Sequence, residues 1–212
     1  MQRFTQAGLY LVTSQSLSKG HTTLDIVRCA VLAGVKLIQL REKNMPLPEY
    51  LDLAQAVRDL TRPYECLLII NDRVDVALAV DADGVHLGQD DLPITAARAI
   101  APNMIIGASS HNIPEAVKAQ EEGASYVNIG PVFPTETKVW EDEFLGLDGL
   151  REVAQHVSIP FTVMGGIKHE HITELCGAGA QTIALVTAVT AAVNPERAAR
   201  ELLEEIQCQR TL

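Results

Sequence analysis

Gln39, Arg41 and Lys43 stand at alternate positions at the end of an apolar run that begins at Val35. On a strand, alternate side chains share a face, so Leu37, Gln39, Arg41 and Lys43 are expected together, with Ile38, Leu40 and Glu42 opposite. A face that carries an amide, a guanidinium and an ammonium is not building a core. An unpaired buried cation costs several kcal/mol, so these groups need an internal carboxylate, water or an anionic ligand.

Carboxylates follow two later apolar runs. Asn71-Asp72-Arg73 closes the run from Leu67, and Gln89-Asp90-Asp91 follows Gly84-Val85-His86-Leu87. Asp72 and Asp91 with room for water make a hard oxygen site of the kind Mg²⁺ takes, held by one or two carboxylates plus substrate phosphates. Asp75 and Asp90 are substitute donors. A helix cap or an ion pair with Arg73 is the competing role for Asp72 and for Asp91. Thr135, Thr137 and Lys138 add hydroxyls and a cation after a later run, at Pro134-Thr135-Glu136-Thr137-Lys138. Gly165-Gly166 and Val186-Thr187 resemble backbone phosphate sites, in which N–H groups of a glycine-rich turn and a helix start hold the anion. A bare Gly-Gly is also a plain tight turn. Three cations against two carboxylates and one Mg²⁺ leave a positive site that suits a polyanion such as a diphosphate. Two separate phosphate places point to two phosphorylated groups meeting.

The histidines divide. His111, after Ser109-Ser110, is an acid/base candidate or a hydrogen-bonding wall residue. His86 lies inside an apolar run and reads as a satisfied core histidine. His169 and His171 share no helical face and read as surface.

The positioning elements alternate. Strands are expected at about 9–14, 35–43, 67–72, 84–89, 104–107, 126–130, 161–164 and 182–186, and a helical segment follows each one. Ala33-Gly34-Val35, Asp83-Gly84-Val85, Gly123-Ala124 and Gly179-Ala180 punctuate helix ends before strands. Eight units in 212 residues predict a single-domain (β/α)8 TIM barrel over residues 1–212. A doubly wound open sheet is the competing architecture. In a barrel, chemistry sits at the C-terminal ends of the strands. The unusual polar residues do collect after strands, while the opposite loops carry mostly Gly, Ala and Pro. The loop of about residues 131–145 has few apolar residues and is a candidate lid.

Taken together, Gln39-Leu-Arg-Glu-Lys43, Asn71-Asp72-Arg73, His86-Leu-Gly-Gln-Asp-Asp91, Gly107-Ala-Ser-Ser-His111, Gly130-Pro-Val-Phe-Pro-Thr-Glu-Thr-Lys138, Gly165-Gly-Ile167 and Val186-Thr187 resemble the thiamine phosphate synthase (thiamine-phosphate pyrophosphorylase) family. The resemblance covers about residues 8–190. It implies a transferase that couples hydroxymethylpyrimidine diphosphate to a hydroxyethylthiazole phosphate, giving thiamine phosphate and pyrophosphate by a largely dissociative route. It assigns Gln39, Arg41, Lys43, Asn71 and Lys138 to the pyrimidine diphosphate, and Asp72 and Asp91 to Mg²⁺. Ser109 is placed near the reacting centre, and with Arg41 and Lys138 it makes the catalytic set. Thr135, Thr137, Gly166, Val186 and Thr187 go to the thiazole substrate. Met164 and Thr187 depart from the smaller aliphatic residue and the serine that the family more often carries.

Three alternatives stay open at this point. One is a thiazole tautomerase of the same fold, one a Schiff-base lyase using Lys138, and one a non-catalytic phosphate-binding barrel. Composition narrows the partners to small molecules. A net charge of -10 and a pI near 5.0 argue against a nucleic-acid or anionic-membrane surface. No apolar run reaches the roughly 18 residues of a membrane span, and no signal peptide is apparent. Cys29, Cys66, Cys176 and Cys208 lack Cys-x-x-Cys spacing and read as reduced packing residues. The expected setting is cytoplasmic, and a homodimer is a possible state. On the synthase reading, borohydride reduction in the presence of substrate leaves Lys138 unmodified; a trapped adduct there favours the lyase.

Overall fold

The computed structural model describes residues 1–135 and 143–210. Its eight strands are β1 (Leu9–Val12), β2 (Leu37–Leu40), β3 (Leu67–Asn71), β4 (Gly84–Leu87), β5 (Ile105–Ser110), β6 (Tyr126–Ile129), β7 (Phe161–Val163) and β8 (Ile183–Leu185). They form a closed barrel in sequence order, every pair parallel, with β1 bonded to both β2 and β8. This is the (β/α)8 barrel expected from the alternation, and closure excludes the open sheet.

The helices are α1 (Gln2–Thr5), α2 (Thr23–Leu32), α3 (Leu47–Thr61), α4 (Val74–Ala79), α5 (Ile94–Ile100), α6 (Ile113–Glu121), α7 (Gly146–Gln155), α8 (Ile172–Gly177), α9 (Thr187–Thr190) and α10 (Pro195–Gln209). Several starts follow local capping chemistry. Thr22 accepts from the Asp25 amide at 3.1 Å, Asn112 from that of Glu115 at 2.9 Å, and Asn194 from that of Arg197 at 2.9 Å. Gly34, Gly123 and Gly179 take φ of +96°, +94° and +94° just past their helices. The fourth glycine of that pattern, Gly84, opens β4 instead, and the left-handed residue there is Asp81 at φ +53°.

Alternation sorts the strand side chains into two layers. Leu9, Leu11, Ile38, Leu40, Leu68, Ile70 and Val127 pack outward under the helices. Tyr10, Val12, Leu37, Leu67, Ile69, Tyr126 and Ala184 fill the barrel interior. The short α1 carries Phe4 into that interior from below, where it is 1% exposed with its ring 4.3 Å from that of Tyr126. Polar residues around Phe4 hide this plug in the sequence. The four cysteines are free thiols, and burial pushes the Cys66 thiol up to about 12.

Three boundaries differ from expectation for tertiary reasons. Strand β2 stops at Leu40 because the next groups bond to side chains: Tyr50 Oη donates to the Leu40 carbonyl at 2.9 Å, and the Arg41 amide donates to Thr13 Oγ1 at 2.9 Å. Arg41, Glu42 and Lys43 therefore leave the strand. Strand β5 runs further than expected, to Ser110, so Ser109 is a strand residue that faces inward. The unexpected α9 begins at Thr187, directly after β8.

Gly107 lies opposite Tyr126 across β5 and β6. A Cβ on Gly107 would stand 2.1 Å from Tyr126 Cζ. Gly107→Ala is therefore expected to cost about 1–3 kcal/mol by overpacking and to lower Tm by roughly 2–4 °C for each kcal/mol. Gly177→Ala, where nothing lies within 4 Å, is the control and leaves Tm unchanged or slightly raised. Thermal melts of the two variants check this, and equal Tm values contradict the packing.

Candidate active site

The mouth begins with β2. Gln39 faces the barrel interior, 2% exposed, and its Nε2 donates to Tyr10 Oη at 2.7 Å. Glu42 anchors the loop that follows. Its Oε2 accepts from the Gln15 amide at 2.8 Å and its Oε1 from Thr23 Oγ1 at 2.7 Å. Glu42 thereby ties the β2 loop to the start of α2, while Lys43 reaches Asp72, with Nζ 3.9 Å from Oδ2.

Asp72 sits one residue past β3 with φ +61°, a left-handed conformation that Asp tolerates better than most side chains. Its amide donates to the His86 carbonyl at 2.8 Å, which stitches the ends of β3 and β4 together. Arg73 turns away and pairs with Asp75, its Nε donating to Oδ1 at 2.9 Å. That contact removes the ion pair as a competing role for Asp72, along with one of the substitute metal donors, and α4 starts at an Arg73 N-cap with no side-chain cap bond, so Asp72 does not cap it. The other substitute, Asp90, is exposed. Asp91 accepts from the Gly88 amide at 2.6 Å. The Asp72 carboxyl is raised to about 6, first by burial and then by the Asp91 carboxylate beside it, against the opposing pull of Lys43 and Arg41.

Two adjacent carboxylates that repel each other fit a small divalent cation. Among the described residues no group of three or more His, Cys, Asp or Glu is placed to hold a metal. A cation at Asp72 and Asp91 therefore needs water or substrate oxygens to complete its shell.

Behind this pair, His86 Nε2 lies 3.0 Å from Ser109 Oγ and His86 Nδ1 lies 2.9 Å from Tyr126 Oη. This is not a nucleophile and base couple. Burial holds His86 down at about 4, far below the range a working base needs. Its second partner is a phenol whose own pKa burial raises well above the usual value. His111 is engaged by Glu115, with Nδ1 to Oε2 at 2.8 Å.

On the far side, the chain leaving β6 runs over the end of β7. The Val132 amide donates to the Met164 carbonyl at 2.9 Å, and that of Phe133 to the Gly165 carbonyl at 3.0 Å. A Cβ on Gly165 would meet Pro131 Cα at 2.5 Å, and one on Gly166 would meet the Pro134 carbonyl oxygen at 2.2 Å. The Gly-Gly pair is thus required by this backbone crossing. Among the described residues no backbone group accepts from the Gly166 and Ile167 amides. Val186 is the N-cap of α9 and Thr187 its first residue. Thr135 is half-buried at the edge of the described segment. Thr137, Lys138 and residues 136–142 of the candidate lid lie outside the described residues. His171, expected at the surface, instead stacks on Phe133 with ring centroids 4.0 Å apart.

Sequence reasoning passed over Tyr10, Tyr126 and Glu42. The signal for the tyrosines was two of only four in the chain, both inside apolar strand runs. Glu42 carried no local signal, because its partners lie 19 and 27 residues away.

The family model described as thiamine monophosphate synthase matches residues 9–189, a span that holds every candidate residue from Gln39 to Thr187. The chain belongs to the thiamine monophosphate synthase family. Among its relatives in that family, the thiamine-phosphate synthase of Chloroflexus aurantiacus is 46% identical over 194 residues, covering 92% of this chain and 90% of that protein. The thiamine-phosphate synthase of Archaeoglobus fulgidus is 44% identical over 199 residues, covering 94% and 93%. The solved thiamine phosphate pyrophosphorylase from Pyrococcus furiosus superposes with a TM-score of 0.90 at 40% identity over 99% of both chains. A 3-hexulose-6-phosphate synthase at 22% identity and TM-score 0.67 shares the fold alone.

A carboxyl whose folded pKa of about 6 lies above its unfolded value stabilises most below the unfolded value, and loses that contribution as pH rises through about 6. In the metal-free protein Asp72→Asn, which removes the charge and keeps the shape, is therefore expected to raise Tm at neutral pH. The gain shrinks as pH falls from about 7 to about 4. Melts across that range check it, and a gain independent of pH contradicts the raised Asp72 carboxyl, which burial and Asp91 together produce.

Proposed function

We propose that this chain is a thiamine-phosphate synthase joining hydroxymethylpyrimidine diphosphate to hydroxyethylthiazole phosphate. The observation that carries the reading is the Asp72–Asp91 pair at adjoining strand ends, with Lys43 at 3.9 Å, in a chain of this family. In the reaction, the carbon–oxygen bond to the diphosphate breaks and pyrophosphate leaves with the electron pair. The thiazole nitrogen then supplies the pair for the new carbon–nitrogen bond.

Each group has a part in this reading. Arg41, Lys43 and Asn71 hold the diphosphate, joined by Lys138 from the β6 loop, and stabilise the charge that grows on it as it departs. Gln39 orients the pyrimidine from the interior. Asp72 and Asp91 hold Mg²⁺. When bound, that ion supplies charge neutralisation to the leaving pyrophosphate. Thr135, Thr137, Gly166, Val186 and Thr187 hold the thiazole phosphate on the opposite rim, so binding presents the two reacting atoms to each other. Ser109 borders the reacting centre. A dissociative substitution asks for positioning and charge stabilisation and for no nucleophile from the chain. That demand agrees with a His86 too weakly basic to activate Ser109. The tautomerase alternative would leave Asp72, Asp91 and Lys43 without work.

The test mixes both phosphorylated substrates with and without Mg²⁺ and assays thiamine phosphate. Product is expected only with the metal, and its absence in the presence of Mg²⁺ overturns the proposal. Asp72→Ala is expected to lower kcat by roughly 100-fold or more, as metal polarisation of phosphoryl oxygens contributes several kcal/mol. Full activity in that variant removes Asp72 from the metal site.

A further inference from the structure

The barrel interior holds an unbroken row of polar side chains, and its middle members Tyr10, Tyr126 and His86 have no substrate contact in the reading above. Gln39 Nε2 donates to Tyr10 Oη at 2.7 Å, and the Tyr10 and Tyr126 hydroxyls lie 2.9 Å apart. Tyr126 Oη is 2.9 Å from His86 Nδ1, and His86 Nε2 is 3.0 Å from Ser109 Oγ. Gln39, Tyr10, Tyr126 and His86 are 2%, 1%, 0% and 5% exposed. Such a buried row is stable only if each member is satisfied, and neighbouring bonds then reinforce one another.

Proton counting gives the row a direction. A phenol has one proton to donate and a neutral imidazole has one N–H. The Gln39 amide donates to Tyr10, so the Tyr10 proton is left for Tyr126. The Tyr126 proton then goes to His86 Nδ1, which places the ring N–H on Nε2, donating to Ser109 Oγ. The Ser109 hydroxyl proton is the one left over at the end of the row. Reversing any single bond sets two protons or two lone pairs face to face. With Gln39 as donor, reversing the other three bonds makes Tyr10 Oη accept twice and leaves its buried proton without a partner in the row, and reversing all four needs the Gln39 amide turned over.

We propose that Tyr10, Tyr126 and His86 are positioning residues that hold the Ser109 hydroxyl as a hydrogen-bond donor toward the reacting centre, with the Gln39 amide setting the direction of the row. This rests on the reading above, in which Ser109 borders that centre. The two ends of the row then differ in sign. A ligand reaching both meets an acceptor, the Gln39 carbonyl oxygen, at one end and a donor, the Ser109 hydroxyl, at the other. That pattern suits a heteroaromatic ring with an amino group and an unprotonated ring nitrogen. No covalent step and no net proton transfer is involved.

Two measurements decide it. The first is ¹⁵N NMR of the histidine-labelled, ligand-free protein, with the His86 ring signals assigned by their loss in His86→Gln. A protonated Nε2 and an acceptor Nδ1 are expected; a protonated Nδ1 overturns the proposal whether or not the chain is a synthase. The second is a double-mutant cycle on synthase turnover. Tyr126→Phe keeps the ring and removes the two neutral hydrogen bonds of its hydroxyl, to Tyr10 and to His86. It is expected to lower kcat roughly fivefold, with KM for the thiazole phosphate unchanged. In a Ser109→Ala background the same change is expected to have no further effect. An equal loss in both backgrounds shows a merely structural role and overturns the proposal, as does unchanged kcat in Tyr126→Phe. If Tyr126→Phe does not fold, Tyr10→Phe, one bond further away, enters the same cycle with a smaller expected loss. A wild-type protein that makes no thiamine phosphate refutes the synthase reading and leaves the tautomer measurement to decide the row.

Discussion

Two carboxylates at the ends of neighbouring strands repel each other, and the barrel mouth is arranged around that repulsion. Parallel pairing sets Asn71 opposite His86, so Asp72 falls beside the turn that carries Asp91. The chain accepts a left-handed backbone at Asp72 to keep it there, a conformation that costs about 1–3 kcal/mol unless its surroundings over-determine it. The bond from its amide to the His86 carbonyl supplies part of that determination. A like-charged pair takes up a proton or gathers cations. Lys43 at 3.9 Å offsets one charge, and on the proposed reading a divalent cation with a diphosphate would satisfy the remainder.

The interior beneath the mouth is as specialised as the rim. A barrel of this class fills its centre with layers of branched aliphatic side chains. Here two tyrosines and a histidine share that space, and Gly107 is small because Tyr126 lies across it. Phe4 closes the lower end against the same tyrosine. The interior is thus packed below and hydrogen-bonded above, and its polar row ends at Gln39 and Ser109, which the proposed function gives to the substrates. Across the mouth, the Gly165-Gly166 turn admits the chain leaving β6, and among the described residues no backbone group accepts from the Gly166 and Ile167 amides.

The β/α alternation and the polar strand ends were legible in the residues, because period and punctuation are local properties. Asp72 and Asp91 could be paired in advance, since neighbouring strands of a parallel barrel end side by side. What was not legible depended on distant partners. The end of β2 at Leu40 is decided by Tyr50 and Thr13, which no pattern near residue 40 announces. His171 reads as surface by helical spacing, yet Phe133 covers it. Glu42 sits in the middle of the most informative segment, and its work lies with Gln15 and Thr23. The inward tyrosines look like ordinary strand residues until closure brings β1 against β8 and Tyr10 within reach of Tyr126.

Anomalous diffraction from crystals soaked with Mn²⁺ and pyrophosphate tests the carboxylate pair most directly. One Mn²⁺ peak between the Asp72 and Asp91 carboxylates is expected, with pyrophosphate oxygens and water completing its shell and Arg41 and Lys43 on the same anion. A peak elsewhere, or pyrophosphate bound with no metal at those two residues, contradicts the account.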